Sequence, residues 1–199
     1  IYMSSERHVH DVTEQQKLMN NVILLEELFS GQLRGLIYRE RATMDPLTGL
    51  YNRWKFNSIF DEYMQNSKTS GEEFSVFLCD VDSFKKINDT YGHLKGDEVL
   101  RVLAKILEEN IESAGIVARY GGEEFVGILK GDKDKCVTLC ENVRRIIEDK
   151  SAELLGFKVT MSFGISSCRE KETKSEILGL ADQRLYKAKE IGKNRVCYD

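Results

Sequence analysis

Segments patterned as helices and as strands alternate along this 199-residue chain from about residue 50 onward, and one pair of strand-like segments is joined by nothing but Gly121-Gly122. That pair is the strongest constraint on the fold. Ile116-Val-Ala-Arg-Tyr120 and Glu124-Phe-Val-Gly-Ile-Leu129 can only run antiparallel across so tight a turn, whereas strands separated by a helix are free to run parallel. A doubly wound parallel sheet is therefore disfavoured. The pattern predicts an α+β sandwich, with a central mixed or antiparallel sheet flanked by helices.

Around this hairpin the periodicity predicts a helix from about Arg53 to Gln65, an apolar strand at Phe74–Cys79 and a short helical stretch near Ser83–Asn88. A longer helix begins at about Gly96, with Val99, Leu100, Leu103, Ile106 and Leu107 on one face. A helix at about Lys133–Asp149, a strand at Phe157–Ile165, a helix at about Lys174–Ile191 and a strand at Arg195–Tyr198 complete the reading.

The single proline, Pro46, lies in Asp45-Pro-Leu-Thr-Gly49, turn chemistry that ends a long proline-free stretch and sets a boundary between residues 1–43 and 44–199. In the first part Leu18, Val22, Leu25, Phe29, Gln32 and Leu36 recur every three or four residues. This N-terminal long helix either packs on its own domain or pairs with a second copy to make a homodimer. The 29 Lys+Arg and 33 Asp+Glu give a net charge of −4, which argues against a nucleic-acid groove but not against one nucleotide. Five cysteines without a framework spacing suit reduced thiols in a cytoplasmic domain. Cys136 and Cys140, four apart on one helix, read as packing residues because no second ligand pair accompanies them. His8, His10 and His93 read as solvated side chains. No apolar run is long enough to cross a bilayer, and the start at Ile1 suggests a fragment whose intact form could carry an upstream sensor or a membrane anchor.

The chemistry-bearing residues cluster at strand ends. Asp80 and Asp82 stand where the apolar strand runs out, two apart and so on one face. Glu123 and Glu124 follow the Gly-Gly turn. Each pair alone is equally well read as a solvated strand end. If the two strands are neighbours, the four carboxylates make an oxygen cluster suited to Mg²⁺, and an open carboxylate-held metal points to phosphoryl chemistry. Lys85, Lys189 and Lys193 are candidate phosphate partners, although lysines at the end of a helix also serve its dipole. No P-loop motif is present.

Arg119-Tyr-Gly-Gly-Glu-Glu-Phe125 resembles the signature of the GGDEF diguanylate cyclases, with Glu for the third-position Asp. Further stretches resemble the same family in the right order: Asp45-x-Leu-Thr-Gly-Leu-x-Asn-Arg53, Asp80-Val-Asp-x-Phe-Lys-x-Ile-Asn88-Asp-x-x-Gly-His93, Gly96-Asp97, and Ala181-Asp-x-x-Leu-Tyr-x-Ala-Lys189 with Gly192-Lys193-Asn. The resemblance implies a palm-like fold, similar to adenylate cyclases and polymerases, and condensation of two GTP into cyclic di-GMP with release of two pyrophosphates. It implies that Asp80, Glu123 and the Val81 carbonyl hold Mg²⁺, with Mn²⁺ as an alternative, and that Glu124 lies near a second metal or the attacking 3′-hydroxyl. Asn88 and Asp97 would read guanine, and Lys85, Lys189 and Lys193 would contact phosphates, Lys193 standing where Arg is frequent. The family's product-inhibition site, an Arg-x-x-Asp upstream of the signature, corresponds here to Glu112-Ser-Ala-Gly115 and is expected to be absent. The resemblance also implies a dimer set by the N-terminal helix, because each domain binds one GTP. A silent GTP-binding module and a purely structural dimerisation domain are the alternatives. The first usually loses signature carboxylates, and the second predicts no nucleotide binding.

Overall fold

Phe74–Val81 (β2) is buried at all eight positions, and a strand buried on both faces must lie inside a sheet covered by two layers. In this computed structural model the described residues are 43–199 and Phe29. The heptad-like seam and the two leader histidines lie outside them, apart from Phe29. Thr43–Asp199 form one unit by themselves.

The elements of that unit follow in chain order: β1 (Tyr51–Asn52), α1 (Arg53–Ser70), β2, α2 (Phe84–Tyr91), α3 (His93–Ile111), β3 (Gly115–Gly121), β4 (Glu124–Lys130), α4 (Lys133–Leu155), β5 (Met161–Ser167), α5 (Lys174–Glu190) and β6 (Val196–Cys197). The sheet order is β1-β3-β4-β2-β5-β6. The inner pairs are antiparallel, whereas β1 runs parallel to β3 and β6 parallel to β5. The expected mixed sheet with flanking helices is what forms.

Alternation along β2 sorts the two cores. Phe77, Cys79 and Val81 pack with α2, α3 and α4. Phe74, Val76 and Leu78 pack with Phe56 and Phe60 of α1 and with Ile177, Ala181 and Leu185 of α5. Asp80 is in phase with Val76 and Leu78, so it belongs to the α1/α5 face. Helix α5 lies very close to the sheet: a Cβ at Gly164 would collide with the backbone of Ala181 and Leu185, so only glycine admits the helix here. The start of α5 is fixed by a capping box between Thr173 and Glu176. Together these features set the depth and register with which α5 presents its C-terminal end.

Several boundaries differ from the sequence reading. Helix α1 extends to Ser70 and stops at the left-handed Gly71, φ 74°. Helix α4 likewise runs on to Leu155 and stops at Gly156, φ 86°. Helix α3 starts at His93, because Gly92 at φ 82° separates it from α2. Strand β5 starts at Met161 rather than Phe157. The Phe157 ring stacks on Tyr91 at 4.3 Å, and the Val159 backbone exchanges hydrogen bonds with the Ser151 hydroxyl of α4, so this segment's polar groups are satisfied outside the sheet. Strand β1, only two residues long, has no periodicity to read. The cysteines are free thiols, with Cys136 and Cys140 buried in the core.

The β5–α5 connection is locked by Glu170. It accepts bonds from Arg184 at 2.8 and 2.9 Å, from Lys133 at 3.0 Å and from the Ser167 N–H at 2.9 Å. Burial opposes its ionisation, but these donors outweigh it and hold the carboxyl down to about 2. A depressed carboxyl pKa stabilises the fold above the unfolded value of 4.5 and ceases to do so as pH falls through about 2. Glu170→Gln is expected to destabilise the protein by about 2 kcal/mol at pH 7. Urea unfolding should show that deficit shrinking steadily between pH 4.5 and pH 2, whereas a pH-independent deficit would refute the electrostatic account.

Candidate active site

The turn that carries the acidic pair is Gly122-Glu123, not Gly121-Gly122. Gly121 is the last residue of β3 and Glu124 the first of β4, with a register shift between Arg119 and Gly121. Gly122 adopts φ 40°, a left-handed conformation that glycine takes without strain. Glu123 therefore sits within the turn itself. Its carbonyl accepts the Val81 N–H at 3.3 Å, which fastens the turn to the end of β2. From the other side Arg119 donates to the Gly122 carbonyl at 2.7 and 3.0 Å and to the Asp45 carboxylate at 3.2 and 3.3 Å.

Strands β2 and β4 are direct neighbours, and Asp80 stands opposite Glu124 in register. Asp80 is 7 % exposed and pairs with the Lys189 ammonium at 2.9 Å, delivered by the closely seated α5. Burial raises the Asp80 carboxyl, Lys189 opposes the rise, and Glu123 and Glu124 add to it, leaving it at about 6. The charges of two glutamates thus bear on Asp80 at the end of two adjacent strands, with the Lys189 ammonium in contact.

Asp82 does not join them. Its two oxygens are occupied by the Thr160 and Ser162 hydroxyls, each at 2.7 Å, and by the Asn194 N–H at 2.9 Å. The expected four-carboxylate cluster is not formed: Asp82 is committed to neutral donors, and Asp80 stands opposite Glu124 with Glu123 in the adjoining turn. Among the described residues no three Asp, Glu, His or Cys side chains gather closely enough to form a ready metal cage.

The other sequence candidates fall around this point. Helix α2 opens at Ser83, left-handed at φ 58° and without a side-chain cap bond to the helix. Its hydroxyl instead accepts the Lys193 ammonium at 2.9 Å. Lys193 thus reaches the head of α2, whose first turn carries the exposed Lys85. An uncapped helix start with two lysines beside it favours an anion. Asn88, on α2, is packed onto α3: a Cβ at Gly96 would collide with the Asn88 side chain. Asp97 is the next residue, so one helix junction carries Asn88 and Asp97. Sequence reasoning missed Ser83, Thr160, Ser162 and Asn194. Only the positions of Ser83 and Asn194 beside motif residues hinted at them.

Residues 42–195 match the family described as diguanylate cyclase, GGDEF domain. The chain belongs to this family. It is 40 % identical over 167 residues to the uncharacterized protein YhcK of Bacillus subtilis, covering 81 % of this chain and 46 % of that protein. It is 35 % identical over 195 residues to diguanylate cyclase A of Treponema denticola, covering 94 % of this chain and 52 % of that protein. The chain spans about half the length of these relatives. The active GGEEF domain of a diguanylate cyclase from Vibrio cholerae superposes with a TM-score of 0.70 at 33 % identity, over 75 % of this chain and 97 % of that one. Within the GGDEF domain, the signature hairpin is the β3–β4 turn, fastened to the end of β2 by the Glu123 carbonyl and by the pairing of Glu124 with Asp80.

The raised Asp80 carboxyl has a measurable cost. Between its unfolded value of 3.8 and about 6 the folded protein keeps a proton that the unfolded chain has lost, so stability falls as pH rises through about 6. Asp80→Asn removes this liability. Chemical denaturation should find the variant more stable than the parent at pH 8 by on the order of 1 kcal/mol, with the two converging near pH 3.5. A variant less stable at pH 8 would mean that the Lys189 pair outweighs the burial and repulsion.

Proposed function

We propose that the chain is a GTP-specific diguanylate cyclase domain that condenses two GTP molecules into cyclic di-GMP and two pyrophosphates. The observation that carries this reading is the buried Asp80 carboxylate set against Glu123 and Glu124 at the ends of adjacent strands. A set of oxygen donors with excess negative charge, offset by the single ammonium of Lys189, fits a hard divalent cation. Asp80, Glu123 and the Val81 carbonyl would hold Mg²⁺ or Mn²⁺, with Glu124 beside them. When bound, such an ion supplies charge neutralisation at the phosphate oxygens.

The chain's own groups supply the rest. Asn88 and Asp97 offer an amide and a carboxylate to the guanine edge, where a carboxylate accepts from the ring N–H and the amino group. Adenine presents a different pattern, so keeping Asp97 favours GTP. Lys85, Lys189 and Lys193 face the triphosphate, along with the uncapped head of α2. Glu124 would lie near a second metal or the attacking 3′-hydroxyl, and in the latter case would take that proton as the oxygen bonds to an α-phosphorus and the bond to pyrophosphate breaks. Each domain holds one GTP, so two domains must face each other, and residues 1–43 are assigned as the signalling and dimerisation helix that sets their pose ahead of the catalytic domain at 44–199. Proximity then becomes the control point. Among the described residues no helix is long and apolar enough to cross a membrane; an upstream sensor and membrane attachment of the intact protein remain part of the proposal.

Incubation with GTP and Mg²⁺ should give cyclic di-GMP and pyrophosphate in a ratio of one to two, read by chromatography and a phosphate assay. A folded dimer that makes neither refutes the reading. Glu123→Gln should lower turnover by about 100-fold or more, and near-parental rates in that variant would remove Glu123 from the machinery.

The stretch Glu112-Ser-Ala-Gly115 follows the end of α3 and offers no cation to an anionic dinucleotide. Initial rates are therefore expected to be unchanged by added cyclic di-GMP through this site. Inhibition that disappears on substituting Glu112 would contradict that.

A further inference from the structure

Asp82 is 8 % exposed, and among the described residues no Lys, Arg or His forms an ion pair with it. A buried carboxylate compensated only by neutral donors is an expensive way to hold a fold together. Its three donors show what it holds. Thr160 and Ser162 lie at the start of β5, and the Asn194 N–H belongs to the turn between α5 and β6.

That turn is strained. Lys193 at φ 62° and Asn194 at φ 47° are consecutive left-handed residues, neither of them glycine, and such a pair persists only where the surroundings over-determine it. The Lys193 N–H is tied to the Ala188 carbonyl at 2.9 Å. The Asn194 side chain accepts from Arg144 at 2.8 Å, and its N–H is the one that reaches Asp82. With the backbone so held, the Lys193 ammonium lies 2.9 Å from the hydroxyl of Ser83, the residue next to Asp82. The dipeptide Asp82-Ser83 therefore grips the turn at two points: the Asp82 carboxylate accepts the Asn194 N–H, and the Ser83 hydroxyl accepts the Lys193 ammonium.

We propose that Asp82 is a positioning residue for the phosphate end of the site: through the Asn194 N–H it fixes the Lys193–Asn194 turn, and so fixes where the Lys193 ammonium stands at the head of α2. This rests on the reading of Lys193 as a phosphate contact. Asp82 itself touches neither substrate nor metal in this account, in contrast to Asp80 two residues earlier.

The test is a double-mutant cycle on the full chain with Asp82→Asn, Lys193→Ala and the pair. The probes are GMP and 3′-deoxy-GTP, which carries the triphosphate but lacks the attacking hydroxyl, with binding measured by calorimetry in the presence of Mg²⁺. Lys193→Ala should weaken 3′-deoxy-GTP about tenfold and GMP less than twofold, the loss of one charge-assisted phosphate contact. Asp82→Asn should reproduce that selectivity and raise KM for GTP more than it lowers kcat. In the Lys193→Ala background it should have no further effect. Multiplicative losses in the pair, or equal weakening of both probes by Asp82→Asn, would overturn the proposal, the second outcome marking a merely structural role. If Asp82→Asn fails to fold, Thr160→Val and Ser162→Ala each remove one donor from the same carboxylate, and the same cycle with Lys193→Ala decides the question. If Lys193→Ala alone leaves the preference for 3′-deoxy-GTP intact, the underlying phosphate assignment has failed, and that is visible before Asp82 is altered.

Discussion

The structure depends on keeping ionised oxygen near the end of a strand that, Ser75 apart, is otherwise apolar. Strand β2 is buried along all eight residues between two helical layers, and Asp80, its next-to-last residue, is in phase with Val76 and Leu78 rather than turned out to solvent. Desolvation pushes the carboxyl towards neutrality, and the glutamates of the neighbouring hairpin push it further. A sheet built only for stability would place a hydroxyl or an apolar side chain there. One neighbour offsets this cost and one adds to it: α5 delivers the Lys189 ammonium to the carboxylate, while β4 sets Glu124 directly opposite.

Helix α5 does much of this work, and its placement is determined away from the site. The capping box at Thr173 and Glu176 sets where it begins. Gly164 sets how near it lies to β5, and the Glu170–Arg184 pair holds it in register with the strand it covers. These three contacts, together with the turn that follows, decide where Lys189 and Lys193 emerge. Substitutions at Gly164 or Glu170 would therefore shift Lys189 and Lys193 through the helix, without touching either lysine.

The layers and the hairpin were legible in the sequence because their signals are local. An apolar run at Phe74–Cys79, a 3.6-residue stripe from Val99 to Leu107 and a glycine pair between two strand patterns each report on their own neighbourhood. The convergence of Asp80 with Glu123 and Glu124 was legible only as a condition, since it requires β2 and β4 to be neighbours, and strand order is not written in any single segment. Two kinds of feature escaped. Strand β1 is too short to have a period. The exact turn residues and the start of β5 depend on tertiary partners, the Val81 N–H for one and the Ser151 hydroxyl for the other. Asp82 is the most instructive miss. Spacing along the strand placed it beside Asp80, but spacing does not say what lies across the sheet.

Two aspartates separated by one residue, on one strand and nominally one face, thus meet opposite environments. Asp80 stands opposite Glu124 of β4 and pairs with Lys189, so its charge is contested by other charges and its proton is held more tightly than on an exposed aspartate, up to about pH 6. Asp82 lies just past the last residue of β2, where Ser162 of β5 and Thr160 just before that strand offer two hydroxyls and the α5–β6 turn offers an amide. Hydroxyls and amides saturate a carboxylate without competing for its charge, so Asp82 is fixed in direction while Asp80 is left electrostatically unsatisfied. The same side chain is therefore saturated by neutral donors at one position and set among charges two residues away, and the difference comes from which strand and which turn the fold has brought alongside.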